Sequence, residues 1–411
     1  MTDVYIIGVG TTPLGKFIEK SVKDLTATAV GAALADANCA VGDIAAAWFC
    51  NTRQGIMEGQ HGIRGQVALR PLGLSGIPIF NTDNACASST AGFNLACAYI
   101  RSGAADVALV VGAEKMNFPE KRHEMFQAFK GSMDVNLGME QLQRVIDASK
   151  DLPMPADAAQ APQRSIFMDS YAAQARVHMQ RYGTTQHQLA EIASKNHWHS
   201  QFNPNAQYQT PISVGEVMAD KPIAWPLTRS MCAPISDGAG AVILCSQGAL
   251  GRFGRGRAIR VLASQITTGE PNDSRGDDGK VGGLAARRAY EEAGLGPTDL
   301  SVCEVHDATA FGELKQIENL GLCPAGEGGR FAAEGHTRLG GRIPVNTSGG
   351  LLSKGHPIGA TGAIQLHELV MQLRGEAGAR QVEGARVAAA ENGGGFYDGE
   401  EAIAAVTILG R

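Results

Sequence analysis

The chain has 411 residues, 44% of them hydrophobic and 19% charged, and a formal net charge of -5. That length exceeds one small core and favours two domains or a duplicated one. The charge balance, with no basic block, excludes nucleic acid as an expected partner, and no apolar run is long enough for a membrane span.

Val4 to Val9 is a β-branched run ending at Gly10 and reads as a buried strand. A signal peptide would need a basic flank and a longer apolar stretch, so a cytoplasmic location is expected. The eight cysteines form no CxxC pair and show no metal-ligand spacing, which suits free thiols in a reducing compartment. Leu25 to Ala40 reads as a helix and Ala45 to Cys50 as a second strand. The polar, Gly-rich segment from Asn51 to Arg70 carries His61 and Arg64.

A strand from Ile77 to Asn81 then feeds the stretch Asn81-Thr-Asp-Asn-Ala-Cys86-Ala-Ser-Ser-Thr90, after which Ala87, Ala91, Leu95, Ala98 and Tyr99 recur at helical spacing. Cys86 therefore sits where a strand becomes a helix. Unpaired N–H groups and the positive end of the dipole bias a thiol there toward thiolate, and its small neighbours leave room for a substrate. Cys86 is the candidate nucleophile. The alternative, a buried structural cysteine, fits Cys97 further along the helix. Asp106 to Glu114 is a continuous apolar strand, as in a sheet covered on both faces, and the strand–helix–strand order argues α/β architecture.

From about 115 to 225 the alternation disappears, and Met168 to Tyr182 and Thr185 to Trp198 read as helices. A long helical insertion covers a site or forms a partner surface. His197 and His199, on different helix faces, read as surface or lid residues. Leu227 to Cys245, around the Ser236-Asp-Gly-Ala-Gly-Ala sequence, returns to strand, and Arg257 to Ser264 opens a second half. Leu284 to Ala293, closed by Gly294, is a helix; Val302 to His306 is a strand; Ala308 to Leu320 is a helix with Asp307 as its expected cap.

The last third repeats the first: Asn346-Thr347 echoes Asn81-Thr82, a turn from Ser348 to Gly362 leads into a helix from Ala363 to Arg374, and Ala385 to Glu391 matches Asp106 to Glu114. Duplication explains this order. His356, in a Gly/Pro turn before a helix, is placed to pair with Cys86; His306 can hold a water or polarise a carbonyl. Asn392-Gly-Gly-Gly395, with Gly394, reads as a tight turn whose N–H groups can face an anion.

The segments NACASST, SDGAGA, HDATAF, GHPIGATG and ENGGG, in this order along the whole chain, resemble the thiolase superfamily. The resemblance implies an α/β, duplicated five-layer αβαβα thiolase fold with a mostly helical loop domain. Its N-terminal half would span residues 1–255, including the insertion at about 115–225, and its C-terminal half residues 256–411. It implies an acyl-CoA C-acyltransferase in which Cys86 is acylated, His356 is its base and His306 takes part in an oxyanion hole. Coenzyme A would be a substrate, with no permanently bound cofactor or metal. A thiolase carries a second cysteine, but here Ala308 and the Glu391-Asn392 pair stand at its two usual places. This is similar to the sterol-carrier-type branch and its atypical relatives, and leaves Glu391 and His61 as candidate proton shuttles, or Glu391 as a structural group.

The EGQHGIRGQVALRPLG and ENGGGFYDGEEA segments are most similar to benzoylsuccinyl-CoA thiolase of anaerobic aromatic degradation. That likeness implies cleavage of benzoylsuccinyl-CoA to benzoyl-CoA and succinyl-CoA. It also implies a homodimer core and a small OB-fold/zinc-ribbon subunit in a heterotetramer. The rivals are a thiolase-like aldolase that cleaves a β-hydroxy acyl-CoA without a covalent intermediate, and a non-catalytic scaffold; the presence of both Cys86 and His356 favours acyl transfer over either.

Overall fold

A computed structural model describes residues 2–156, 158, 161, 164–270 and 280–411. The chain begins with β1 (Val4–Thr11), α1 (Val22–Ala37), β2 (Ala46–Cys50), α2 (Gln54–Glu58), α3 (Arg64–Leu69), β3 (Ile79–Thr82), α4 (Ser88–Arg101) and β4 (Val107–Glu114). A helical stretch follows: α5 (Arg122–Lys130), α6 (Gly138–Asp147), α7 (Ile166–Tyr182), α8 (Gln186–Ser200) and α9 (Val214–Ala219), closed by β5 (Pro222–Ala224) and β6 (Leu227–Thr228). Next come β7 (Gly238–Ser246), β8 (Ile259–Thr267), α10 (Val281–Ala293), β9 (Val302–Glu304), α11 (Ala310–Asn319) and α12 (Gly328–Ala333). The chain ends with α13 (Gly350–Lys354), α14 (Thr361–Arg374), β10 (Val387–Gly394) and β11 (Ile403–Gly410).

Nine strands form one sheet in the order β3-β2-β4-β7-β1-β8-β11-β10-β9. In its first half β3, β2 and β4 run parallel, and β7 and then β1 join antiparallel. The second half repeats this, with β9 parallel to β10, followed by antiparallel β11 and β8. Val345 makes a parallel bridge to Cys303 of β9, in the place that β3 holds beside β2. Asn81, within β3, and Asn346, directly after Val345, thus occupy matching positions, and the repeat is a structural one. The halves join where Tyr5 and Ile6 of β1 pair with Arg260 and Ile259.

Helices α4 and α14 form the middle layer, and their apolar faces (Phe93, Ala96 and Ile100; Leu366, Leu369 and Leu373) share one core with side chains from both halves of the sheet. The outer layers are α1 against the first half and α10 with α11 against the second. Apart from the edge strand β3 and the partly exposed β8, the strands of the central sheet are almost wholly buried, which is why these segments read as apolar runs. The insertion builds its own core from α7 and α8 and seats it on Phe311, Leu314 and Leu352 of the second half. Ser21 and Thr185 close capping boxes at the starts of α1 and α8.

The structure corrects several sequence expectations. Asn392 to Gly394 is not a turn but the end of β10, paired with β11, because Gly393 and Gly394 let that strand lie against Glu401 and Ala87. The terminal strand β11 is a further element of the structure, joined to β10 through a turn at Asp398-Gly399, both at positive φ. His197 and His199 are buried: α8 is an internal helix, with His199 Nδ1 on Asn346 O (3.0 Å) and His197 Nδ1 on Ser353 Oγ (3.1 Å). Burial lowers their pKa values to about 3 and about 4, so both rings are neutral. Thr309 caps α11, whereas the Asp307 carboxylate accepts the Leu351 N–H (2.6 Å) and so fixes α13.

Where α4 and α14 cross, a Cβ on Gly362 would overlap the Thr90 hydroxyl and come within 2.9 Å of Thr90 N. Gly362→Ala is therefore expected to destabilise the fold by about 1–3 kcal/mol or more, read as a lower unfolding midpoint. Gly31, exposed within α1 with open space around it, is the counterpart: Gly31→Ala should raise the midpoint by the equivalent of about 0.5–1 kcal/mol.

Candidate active site

Ala85 has a φ of 49°, in the left-handed region that residues with a side chain rarely adopt. This bend swings the chain from β3 into α4 and leaves Cys86 half-buried one residue before the helix cap, Ala87. The bend is braced locally by Ser88 Oγ, which accepts the Asn84 N–H (2.8 Å) and donates to Ala85 O (2.6 Å). It is braced across the molecule by Asn392 Nδ2, which donates to Cys86 O and to Thr90 Oγ1, both at 3.0 Å. Asn392 is thus a positioning side chain, and Gly394 contributes by letting β10 approach Asn84 and Ala87.

The Cys86 Sγ and one ring nitrogen from each of His306 and His356 lie within 4.8 Å of one another. The two rings stand edge to face, with centroids 5.4 Å apart. His356 lies between α13 and α14. Its backbone N–H donates to Ser236 Oγ (2.9 Å), and its Nδ1 is 2.8 Å from Thr361 Oγ1. The Thr361 hydroxyl can give its own proton to Pro357 O (3.4 Å), which assigns the imidazole proton to Nδ1 and leaves Nε2 with a free lone pair. His306, after β9, donates its backbone N–H to Glu391 Oε2 (3.0 Å), while neither ring nitrogen has a partner among the described residues. Two ring nitrogens and Glu391 Oε1 therefore stand buried and unpaired, an arrangement that calls for a ligand or water.

Two supports escaped sequence reasoning. The buried Glu114 carboxylate, at the end of β4, accepts from Asn51 Nδ2 (2.9 Å), Arg53 N (2.9 Å), Thr52 Oγ1 (3.0 Å) and Gly359 N (3.0 Å). It ties the loop after β2 to the loop that carries His356. A lone acid closing a seven-residue apolar strand was the available signal. Thr361, one turn past His356, was the other. The wall around Cys86 is apolar, built from Met57, Met116, Met125, Ile358, Phe118, Phe126 and Phe129, and much of it comes from the insertion. His61 lies elsewhere: it is exposed between α2 and α3, beside Gly55, and stands outside the three-residue cluster.

Burial governs the charge state. It pushes the Cys86 thiol up to about 12, against the pull of Arg53, and depresses His306 to about 4 and His356 well below the usual histidine value. The helix start favours the thiolate at Cys86, and its apolar surroundings oppose that bias. Burial, and then the Glu401 charge, raise Glu391 to about 8. Glu401 remains ionised, receiving Lys315 Nζ and Gln316 Nε2 at 2.9 Å each. A neutral thiol beside a free imidazole lone pair can pass its proton during attack on a carbonyl, and a protonated carboxyl below can give one back.

Both halves match family models: "Thiolase, N-terminal domain" over residues 4–222 and "Thiolase C-terminal domain-like" over residues 281–411. Sterol carrier protein 2 of Bos taurus is 37% identical over 401 residues, covering 95% of this chain and 69% of its own. An acetyl-CoA acetyltransferase of Methanothermobacter thermautotrophicus is 36% identical, covering 96% of this chain and 97% of its own. The benzoylsuccinyl-CoA thiolase subunit BbsB of Thauera aromatica is 35% identical, over 92% and 91%. Among solved structures, the Ltp2-ChsH2(DUF35) aldolase superposes with a TM-score of 0.77 at 23% identity, over 99% of this chain and 97% of that one. Human mitochondrial 3-ketoacyl-CoA thiolase gives 0.69 at 17%, over 100% and 98%. The chain belongs to the thiolase family, and its fold is the thiolase fold.

The raised Glu391 acid has a consequence for stability. Between an ordinary value of 4.5 and about 8 the folded chain holds a proton that the unfolded chain releases, so the stability tied to this group is present below that window and is lost as pH rises through it. Glu391→Gln should remove this slope: from pH 5 to pH 8 the unfolding midpoint of the native protein is expected to fall relative to that of the variant, by the equivalent of a few kcal/mol at most. Parallel midpoints across the window would show that Glu391 titrates normally.

Proposed function

We propose that this thiolase-family chain is a CoA-dependent acyltransferase that cleaves a β-keto acyl-CoA through an acyl-enzyme on Cys86. The observation that carries the reading is the meeting of Cys86, His306 and His356 with the Nε2 lone pair of His356 free to receive the thiol proton. Cys86 Sγ bonds to the keto carbon as its proton moves to His356 Nε2. The carbonyl oxygen, gaining charge, is met by an N–H from the unpaired His306 ring. The carbon–carbon bond then breaks, leaving the acyl group on sulfur, and the departing carbon takes a proton from Glu391, in place of the cysteine that other thiolases use. Coenzyme A next gives its thiol proton to the Glu391 carboxylate and attacks the thioester, and His356 returns its proton to the Cys86 sulfur as that sulfur leaves.

Benzoylsuccinyl-CoA is the substrate proposed, cleaved to benzoyl-CoA and succinyl-CoA. Its support is the likeness to BbsB together with the Met- and Phe-lined wall beside Cys86, which suits an aromatic acyl group. The aldolase reading has its own support in the close superposition on an aldolase and in the lack of a second cysteine at Ala308.

A homodimer is part of the proposal: β3 is an open edge strand whose Phe80, stacked on Trp48, remains 39% exposed. So is a small OB-fold/zinc-ribbon subunit, for which the insertion offers exposed Val135, Leu137, Met139 and Met154 as a surface. Among the described residues no helix is long and apolar enough to cross a membrane. Cytoplasmic residence is proposed on the free cysteines.

Cys86→Ala is expected to lower thiolysis at least about a thousandfold while leaving the unfolding midpoint in place; cleavage at near-native rate would move the protein to the aldolase class. His356→Ala should slow acylation far more than it weakens CoA binding, whereas equal losses in both would reduce His356 to a ligand contact. Light scattering should give a dimer at micromolar concentration. Co-expression with a small zinc protein encoded beside this chain should co-purify that protein or change activity, and the subunit claim is wrong if it does neither.

A further inference from the structure

The same three side chains form a second kind of site. A thiol and two imidazoles converge from three separate segments, the start of α4, the end of β9 and the α13–α14 loop, with their donor atoms within 4.8 Å of one another. We infer that Cys86, His306 and His356 bind a zinc-class divalent cation that competes with acylation and holds the enzyme inactive. This deepens the proposed function, because it assigns a mode of regulation to the proposed nucleophile.

Zinc takes thiolate sulfur at about 2.3 Å and histidine nitrogen at about 2.0–2.1 Å in a tetrahedron, so its ligand atoms stand roughly 3.3–3.6 Å apart. The donors here would have to close by about 1 Å, a side-chain movement. His306 is free to make it: both its ring nitrogens are buried and without a partner among the described residues, so no hydrogen bond is lost when one turns to a metal. His356 is already prepared. Thr361 Oγ1 receives the Nδ1 proton, the kind of outer contact that metal-bound histidines make, and Nε2 is left as the ligand atom. Three protein donors leave the fourth position to water, as in open rather than structural zinc sites.

Binding forms an S–metal bond and releases the Cys86 thiol proton to solvent; nothing is oxidised or reduced. The sulfur lone pair used in the metal bond is the one that would attack a thioester, so metal and acyl group exclude each other. No motif announces this site, because Cys86, His306 and His356 are separated by 220 and 50 positions (306 − 86 and 356 − 306) and match no metal-ligand spacing.

The test uses the full-length, metal-stripped protein titrated with Co²⁺, an optical stand-in for zinc, without any acyl-CoA. One equivalent per chain should produce a thiolate-to-cobalt charge-transfer band with tetrahedral d–d absorption, and Zn²⁺ should bleach both. Cys86→Ser should abolish the charge-transfer band, and His306→Ala should weaken binding at least tenfold. Blocking Cys86 with iodoacetamide provides the same check in the unmutated chain. No charge-transfer band, a band that survives loss of Cys86, or unchanged affinity in His306→Ala would each overturn the inference. Because acyl-CoA plays no part in this readout, its failure is distinct from a failure of the thiolysis reading.

Discussion

The contact on which the site depends is the amide of Asn392, whose Nδ2 reaches Cys86 O and Thr90 Oγ1 at 3.0 Å each. It joins a strand of the second half to the helix start of the first, and it does so beside a backbone bend at Ala85 that few residues with a side chain adopt. A local turn alone would not hold such a bend; a cross-link from the other half of the duplication does. Much of the rest follows from the need to bring β10 that close. Gly394 lacks the Cβ that would meet Ala87, and Gly362 lacks the one that would meet Thr90. Ser89 Oγ, accepting the Ala363 N–H at 3.0 Å, locks α4 against α14.

Within that frame, burial and pairing divide the ionisable groups into two sets. Glu114 and Asp237 are buried acceptors whose partners lie on several loops. Asp237 takes the N–H groups of Met116 (2.7 Å), Asn117 (2.9 Å) and Phe17 (3.0 Å) and pairs with Lys115 at 3.1 Å, anchoring the start of the insertion. These acids are satisfied and structural. Half-buried Cys86 and His356, with buried His306 and Glu391 whose ring nitrogens and Oε1 lack partners, form the other set, held neutral by their surroundings. A neutral thiol and imidazole need no counter-charge while the site waits, and charge is separated only when a substrate can accept it.

The sequence made the frame legible because buried parallel strands are continuous apolar runs and because the duplication repeats an Asn-Thr pair at matching places, Asn81-Thr82 in β3 and Asn346-Thr347 after the Val345 bridge. It also pointed to Cys86, His306 and His356, each at the end of a strand or in a glycine-rich turn. What it concealed was tertiary. His197 and His199 read as surface groups, since helical spacing cannot show that the C-terminal half of α8 is covered on all sides. Asn392 to Gly394 looked like a turn, because glycines that permit close packing and glycines that permit reversal are the same letter. The thiolate bias expected at Cys86 follows from its helix start; the Met and Phe side chains that oppose it arrive from the insertion, 30 to 43 positions away (116 − 86 and 129 − 86).

The central claim is that Cys86 carries the acyl group, and mass spectrometry of the intact protein and its peptides after brief incubation with β-keto acyl-CoAs tests it most directly. The account predicts a mass increase equal to one acyl group, located on the Cys86 peptide and discharged by free coenzyme A. Turnover of the substrate with Cys86 unmodified throughout would contradict it.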